Sequence, residues 1–335
     1  MKKTLGALVC ALLFATLTCF AQVPPPGNFR FQNVDVPGAT STIAEGINDL
    51  GQIAGFFRDA AGGVHGYVRD GDDIRIIVFP NATKTFPLTI NNSGTVAGGY
   101  SDGTRIHGFI LEHGRFTTID FPGDIFTEIV DVNERGDVAG TYLDADSGFH
   151  GFTFDKNGFT SIDDPAQTWP TPSTEVLGIN NRKTVSGVFL DVNGNVHSFL
   201  LTDGIFQPND VPGAVSTALE GLNDSGDVIG FYVGPDNVQH GYLQRGGRFT
   251  TFDFPGAVGT SFPFQINNSG TIVGINFDSQ GHSHGFIADQ LPGNQAGTDN
   301  QADPPPIIRG APAQSCSPAS LVDNPELIRN PRACN

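Results

Sequence analysis

A nine-residue motif recurs six times along this chain and constrains its fold more than any other feature. The last copy, Ile266 to Gly274, reads Ile-Asn-Asn-Ser-Gly-Thr-Ile-Val-Gly. Successive copies are 43, 42, 47, 43 and 44 residues apart, a period typical of stacked or radially arranged β-units. The asparagine at the second position of each copy is Asn48, Asn91, Asn133, Asn180, Asn223 or Asn267.

Each repeat predicts four short β-strands. The first strand ends at the asparagine, and a turn follows in which Gly stands three residues later, as Gly94 follows Asn91, where a positive φ is required. Lys183 takes this place in unit four. The second strand carries a Gly, such as Gly98, which indicates close backbone approach. The fourth strand reads Phe-x-x-Ile-Asp-x-Pro, most clearly from Phe116 to Pro122.

The third strand of every repeat opens with a histidine, followed two residues later by an aromatic residue. These histidines are His65, His107, His150, His197, His240 and His284. A residue that recurs at equivalent places belongs to the repeat rather than to a single site. We therefore interpret each histidine as a buried structural residue, hydrogen-bonded within its own repeat. The repeated asparagines, and the aspartates Asp35, Asp120, Asp163, Asp210 and Asp253, are interpreted in the same way.

The two ends of the repeat region predict a closed ring. The segment from Phe29 to Pro37 is a fourth-type strand that precedes any first strand, and the last repeat lacks a fourth strand after Phe286. An N-terminal strand that completes the last unit explains both facts and removes exposed sheet edges. We predict an all-β, six-bladed β-propeller over residues 29–290. An open solenoid, the alternative, would show atypical capping repeats.

The repeat resembles a known family. The pattern Gly-Ile-Asn-x-x-Gly-x-Val-x-Gly, followed by a His-x-Phe strand, is similar to that of exported bacterial proteins built from His-Ala-Phe (HAF) repeats, and the resemblance covers Phe29 to Phe286. This chain has Gly in the middle place of five repeats and Ser198 in the remaining one. The resemblance implies an extracellular repeat protein, without a defining activity.

Both ends of the chain lie outside the repeats. Residues 1–21 carry Lys2 and Lys3 before an apolar run and end in Ala21, which predicts a secretory signal peptide and a secreted, extracellular or periplasmic protein. A lipid anchor at Cys19 is the alternative. Residues 22–28 read as a Pro-rich linker and residues 291–315 as a flexible linker. Residues 316–335 would be a tail closed by a disulfide between Cys316 and Cys334.

The charge of the chain restricts its partners. The formal net charge of −17 repels phosphate backbones and anionic lipids, so we expect neither nucleic acid binding nor membrane insertion. Motifs for a nucleophile elbow, a zinc protease or a phosphate-binding loop do not occur. We expect a monomer and predict no cofactor.

Two irregularities among the repeats give the candidate binding residues. The connection into unit four is longest, and it contains Trp169, the one tryptophan of the chain. An exposed Trp suits stacking on a sugar ring, although packing against its own loop is an equal alternative. Glu45, Glu128, Glu175 and Glu220 precede the repeated asparagine by three or five residues. They would ring the mouth of the central channel and accept a divalent cation such as calcium, or remain solvated at its rim.

Three functions remain open on this basis. The first is a secreted, non-catalytic propeller that binds an extracellular carbohydrate or protein through the face carrying Trp169 and the glutamates. The second is a propeller hydrolase or lyase that uses the channel carboxylates, with or without a divalent cation. The third is a structural repeat protein of the cell envelope. Whether the protein is an enzyme is left open, with a non-enzyme favoured.

Overall fold

The repeats fold into a six-bladed β-propeller, as the sequence predicts. The computed structural model describes residues 26–146, 148–167, 173–255 and 261–292, and these form 24 strands in six four-stranded antiparallel sheets. The predicted signal peptide, Trp169 and both tail cysteines lie outside the described residues. Of the predicted linker 22–28, residues 26–28 are described, and Gly27 N–H donates to the Thr251 carbonyl at 2.7 Å.

The strands are numbered in chain order, and each blade has a first, a second, a third and a fourth strand. The first strands are β2 (Ser41–Ile47), β6 (Lys84–Ile90), β10 (Phe126–Val132), β14 (Thr174–Ile179), β18 (Ser216–Leu222) and β22 (Phe262–Ile266). The second strands are β3 (Ile53–Arg58), β7 (Val96–Ser101), β11 (Val138–Leu143), β15 (Val185–Leu190), β19 (Val228–Val233) and β23 (Thr271–Phe277).

The third and fourth strands complete each sheet. The third strands are β4 (Val64–Asp70), β8 (Ile106–Glu112), β12 (Phe149–Asp155), β16 (Val196–Thr202), β20 (Gln239–Arg245) and β24 (Ser283–Gln290). The fourth strands are β5 (Asp73–Ile77), β9 (Arg115–Ile119), β13 (Gly158–Ile162), β17 (Ile205–Pro208), β21 (Arg248–Phe252) and, for the last blade, β1 (Phe29–Asn33). Blades 1 to 6 are numbered by their first strands.

The N-terminal strand closes the ring, as predicted. β1 pairs antiparallel with β24, so that Phe29 lies opposite Gln290 and Asn33 opposite Phe286. The pairing is reinforced by aromatic packing, since the Phe31 and Phe286 rings meet edge to face at 5.9 Å. Blade 6 is thus assembled from both ends of the repeat region, which leaves no blade lacking its fourth strand.

Backbone geometry confirms the predicted roles of two repeat positions. A Cβ on Gly98 would lie 2.0 Å from the Phe86 carbonyl oxygen, so the first and second strands approach too closely for any side chain there. In the turn that follows the first strand, the residue three places after the repeated asparagine has a positive φ in all six blades. Five of these residues are glycines, and Lys183 adopts the same conformation with a φ of 62°.

The propeller has two faces, which are named here for the connections they carry. The loop face carries the connections between blades, such as residues 78–83, and the turns between second and third strands, such as residues 59–63. The turn face carries the asparagine turns and the turns between third and fourth strands. Apolar clusters fill the space between blades; one of them joins Leu177 and Val196 of blade 4 to Ala218 and Phe231 of blade 5.

Candidate functional site

The structure buries the four candidate glutamates. Glu45, Glu128 and Glu220 are at most 3% exposed and Glu175 is 6% exposed. This differs from the predicted rim of solvent-facing carboxylates. Glu45 and Glu220 stand at bulges in β2 and β18, where the ladder register shifts, and Glu128 packs against Gly99 of the preceding blade. A ligand in solvent therefore cannot reach these carboxylates without rearrangement of the blades.

Trp169 lies in residues 168–172, outside the described part of the chain. The strands on either side of this segment, β13 and β14, respectively end and begin at the loop face. The placement of Trp169 as a stacking residue stays a prediction.

The repeated histidines lie near the loop face beside carboxylates, and those of blades 2, 3, 4 and 6 each lie between two of them. In five blades the ring Nδ1 lies 2.6–2.9 Å from the aspartate that follows the fourth strand: Asp120, Asp163, Asp210, Asp253 or Asp35. Blade 1 has Val78 at that place, and its His65 instead bonds Asp59 through Nε2 at 2.8 Å. The side chains are partly exposed, 13–37%, rather than fully buried as we expected.

These carboxylates raise the pKa of three of the histidines. At His240 the hydrogen bond to Asp253 is the main cause and outweighs burial, which lowers the pKa. At His197 burial is the largest effect and lowers the pKa, but the hydrogen bonds and charges of Asp210 and Asp191 together raise it above its ordinary value. His284 shows the same balance. These contacts lie within single blades and hold the third strand to its neighbours.

The repeated asparagines join the blades into a ring around the propeller axis. Each side chain binds its own turn; the Asn48 Oδ1 atom, for example, accepts hydrogen bonds from Leu50 N–H and Gln52 N–H. Each amide Nδ2 also donates to the backbone carbonyl of the equivalent asparagine in the next blade, at 3.0–3.2 Å. The sequence predicts the first role, whereas the second appears only when the blades are brought together.

A second ring of hydrogen bonds lies beside the first, at the mouth of the channel on the turn face. It is formed by the residues that follow the repeated asparagines, whose backbone N–H groups donate to the side-chain oxygen of the equivalent residue in the next blade at 2.7–2.9 Å. These residues are Asp49, Asn92, Glu134, Asn181, Asp224 and Asn268. Carboxylates alternate with amides, so donors separate the negative charges.

Polar side chains close the channel behind this mouth. The Asp131 Oδ1 atom accepts hydrogen bonds from the Thr89 hydroxyl at 2.8 Å and from Gln265 Nε2 at 2.9 Å, and Oδ2 accepts from Ile179 N–H at 2.9 Å. Gly46, at the equivalent place in blade 1, has no room for a Cβ, which would lie 2.6 Å from the Thr89 Cα atom and 2.8 Å from the Leu88 carbonyl oxygen. Three residues from three blades thus fill the axis, and the channel is not an open passage.

A cleft on the loop face, between blades 6 and 1, is the best-formed candidate binding site; we name it the seam cleft. Blade 1 contributes Ser41, Ile43, Phe56, Phe57, Arg58 and Val64, and blade 6 contributes Ile275, Phe277, Gly281 and Ser283. The aliphatic side chains and Phe56 are buried and form the floor. Phe57, Phe277 and Arg58 are partly exposed. The cleft has a cavity volume of about 130 Å³.

The rim of the seam cleft combines aromatic surface with hydrogen-bonding groups. Ser41 and the largely buried Ser283, which is 8% exposed, supply hydroxyls, which both donate and accept. The Arg58 guanidinium is held over the turn by a hydrogen bond from Nη1 to the Gly62 carbonyl at 3.2 Å. The nearby Asp278 carboxyl has a pKa well below its usual range because the backbone N–H of His282 and other donors bind it. The cleft suits a small ligand with one apolar face and several hydroxyl groups.

Sequence reasoning missed both the asparagine ring and the seam cleft. The polar residues that follow each repeated asparagine are visible as a pattern and would have marked the channel mouth. The cleft residues are individually unremarkable, since Ser41, Phe57 and Ser283 match no motif. Their signal lies in a comparison of the same position across repeats, which shows Ser283 where most other repeats carry a large apolar residue.

The described residues offer neither a metal centre nor a membrane-spanning helix. In the ranges given above, no group of three or more His, Cys, Asp or Glu side chains is arranged to hold a metal ion. No helix in that part of the chain is long and apolar enough to cross a membrane. The divalent cation considered from the sequence stays a prediction.

Comparison with known proteins shows similarity of fold alone. AofleA from Arthrobotrys oligospora superposes with a TM-score of 0.51 at 14% identity, over 78% of this chain and 86% of that one. A fucose-specific lectin from Aleuria aurantia (TM-score 0.46, 9% identity, 80% and 98% covered) and TolB from Acinetobacter baumannii (0.49, 10%, 71% and 63%) are more distant. No protein-family model and no curated protein matches this chain. Its assignment to the HAF-repeat proteins stays a prediction.

Proposed function

We propose that this protein is an exported, non-catalytic propeller that binds a carbohydrate in the seam cleft. The observation that carries the proposal is the composition of the cleft: a buried apolar floor, two partly exposed phenylalanines and a rim of hydroxyls and guanidinium. Sugars present the same combination, because one face of a pyranose ring exposes C–H groups and its edge exposes hydroxyls. Aromatic rings bind the first, and Ser and Arg side chains bind the second.

The position of the cleft supports this proposal. It opens on the loop face, where connections between blades are least constrained by strand pairing and where binding residues commonly lie. Export agrees with the apolar, lysine-preceded segment of residues 1–21. The burial of all four candidate glutamates and the closed channel give no support to the alternative of a hydrolase that uses channel carboxylates.

A glycan array followed by calorimetric titration of the bound sugar tests the proposal. The informative variant is Phe57→Ala, which removes exposed aromatic surface at the cleft and should weaken binding at least about tenfold. Phe189→Ala is the matched control, because Phe189 is also partly exposed and occupies the same place in blade 4. We expect the control to bind like the wild type. An array without any bound glycan, or equal loss in both variants, would contradict the proposal.

A further inference from the structure

We propose that Ser283 is the specificity-determining residue that opens the seam cleft, and that the cleft therefore exists at one of the six seams. The claim that Ser283 determines sugar binding rests on the proposed function. The claim that Ser283 leaves the cleft open rests on side-chain packing alone. The protein would then bind one ligand per chain, whereas six similar blades suggest six binding sites.

The comparison uses the residue directly before each repeated histidine. In blade 6, for example, Ser283 pairs with Phe277, which stands three residues after the second-strand glycine. The corresponding pair occurs in every blade, so the six places are equivalent. The six residues are Val64, Ile106, Phe149, Val196, Gln239 and Ser283. Ser283 has the smallest side chain of the set.

The chain at this place contacts the next blade. The Phe149 backbone forms an isolated bridge with Ser173 of blade 4, and the Val196 backbone N–H donates to the Ser216 hydroxyl of blade 5 at 3.2 Å. Val196 belongs to the apolar cluster that joins Val188 to Ala218 and Phe231 across that seam. Leu190, at the place of Phe277, belongs to the same cluster, so five of the places that line the cleft between blades 6 and 1 are occupied by closely packed residues between blades 4 and 5.

At the seam between blades 6 and 1, the equivalents of those residues line a cavity. Val188 corresponds to Ile275, Ala218 to Ile43 and Phe231 to Phe56, and each of these three side chains at the cleft is as large as its counterpart in the packed seam or larger. Within this set, the place where the cleft has the smaller side chain is that of Ser283, which stands where the packed seam has Val196. The cavity of about 130 Å³ is lined by this hydroxymethyl group, so a valine, which has a methyl in place of the hydroxyl and a second methyl besides, would occupy part of it.

The test compares Ser283→Val with Ser283→Ala in the full chain. Valine is tolerated at the equivalent place in blades 1 and 4, so the first variant should fold, which its melting temperature would verify. Alanine keeps the space and removes only the hydroxyl. Crystals pressurised with xenon give a readout that needs no sugar, because apolar cavities of roughly 150 Å³ bind xenon. Calorimetry with the sugar found on the array gives affinity and stoichiometry.

We expect xenon in the wild type and in Ser283→Ala at the seam cleft, and no xenon there in Ser283→Val. Sugar affinity should fall at least about tenfold in Ser283→Val and at most about threefold in Ser283→Ala, with a stoichiometry of one sugar per wild-type chain. Unchanged xenon or sugar binding in Ser283→Val, or several sugars per chain, would overturn the inference. The expected xenon pattern with a silent glycan array would uphold Ser283 as the opening residue and refute the proposed function alone.

Discussion

The side-chain amide of Asn267 donates a hydrogen bond to the backbone carbonyl of Asn48 at 3.0 Å, although 219 residues separate the two. This bond completes the asparagine ring at the same seam where the N-terminal strand completes blade 6. Asn267 Oδ1 also accepts hydrogen bonds from Ser269 N–H and Thr271 N–H in its own turn. One side chain thus shapes a turn and closes the propeller.

Asn267→Asp separates these two roles. Aspartate keeps an oxygen for the turn but replaces the donor with a second carboxylate oxygen, which faces the Asn48 carbonyl. Because both groups are buried, we expect a loss of about 1–3 kcal/mol in the free energy of unfolding, measured by urea denaturation. Asn157→Asp, in an exposed turn of blade 3, should change stability by less than about 0.5 kcal/mol. Equal effects in the two variants would show that the ring contributes nothing specific.

Asp131→Asn tests the polar closure of the channel. The hydrogen bonds described above bring only donors to the Asp131 carboxylate: the Thr89 hydroxyl, the Gln265 amide and the Ile179 N–H. Asparagine would turn its own NH₂ toward one of these donors, so a buried acceptor is lost. We expect a loss of about 1–3 kcal/mol in denaturant unfolding. Thr89→Val, which removes one donor and leaves the carboxylate in place, should cost less than Asp131→Asn; the reverse order would refute this account of the closure.

Much of the fold follows from the sequence because each repeat encodes its blade locally. Three predicted features were found where the sequence places them: the turn glycines, the second-strand glycine such as Gly98, and the extra N-terminal strand. The glycines determine structure within about ten residues, and the extra strand determines how the two ends of the repeat region pair. The number of blades follows from the number of repeats. Closure follows from the strand count at the two ends.

The site was harder to predict because it depends on contacts between blades. Gln265 donates a hydrogen bond to the Thr89 hydroxyl on the propeller axis, although 176 residues separate the two. No local sequence pattern predicts that contact. The glutamates were misplaced for a related reason: two of them stand at bulges, where the alternation of inward and outward side chains is interrupted. Ser283 becomes informative only against the five equivalent residues.

The histidine–aspartate pairs predict a stability maximum at mildly acidic pH. The raised pKa values of His197, His240 and His284 stabilise the fold fully below about 6.5, the unfolded pKa, and this contribution is lost as pH rises through the folded values. Aspartates act in the opposite direction. Burial is the largest effect on Asp191 and raises its pKa, but hydrogen bonds from Asn195, Asn193 and His197 together lower it to about 2. The contribution of Asp191 to stability is therefore present above about 3.9 and is lost as pH falls toward 2.

Melting temperatures across pH 3–9 check this prediction, with a maximum expected between about pH 4 and 6.5. His240→Gln should lower the melting temperature at pH 6 and flatten the decline on the alkaline side, because the titrating group is gone. His113→Gln is a suitable control, since His113 is 89% exposed in a turn between third and fourth strands. A wild-type profile that rises from pH 6 to pH 8 would contradict the assigned role of the histidines.

Lys183→Gly tests whether backbone strain or ion pairing has the larger effect on stability at the irregular turn of blade 4. Lys183 has a φ of 62°, a conformation that disfavours a residue with a Cβ, and the five equivalent residues are glycines. Its ammonium compensates in part, lying 2.9 Å from Asp155 and 3.3 Å from Asp137. The Lys183 ammonium is half-exposed, so these ion pairs are weak and salt screens them, whereas the backbone strain does not depend on salt. We expect Lys183→Gly to melt no lower than the wild type at low salt.

At 1 M salt the melting temperature of Lys183→Gly should rise relative to that of the wild type, because salt screens the ion pairs that the wild type keeps. Lys183→Met separates the effects, since it keeps the strained backbone and removes the charge; it should melt below the wild type at low salt and approach it at high salt. Thermal unfolding of the three proteins at two salt concentrations is sufficient. A Lys183→Gly variant that melts below Lys183→Met at both concentrations would show that the flexibility gained by the unfolded glycine outweighs the relief of strain.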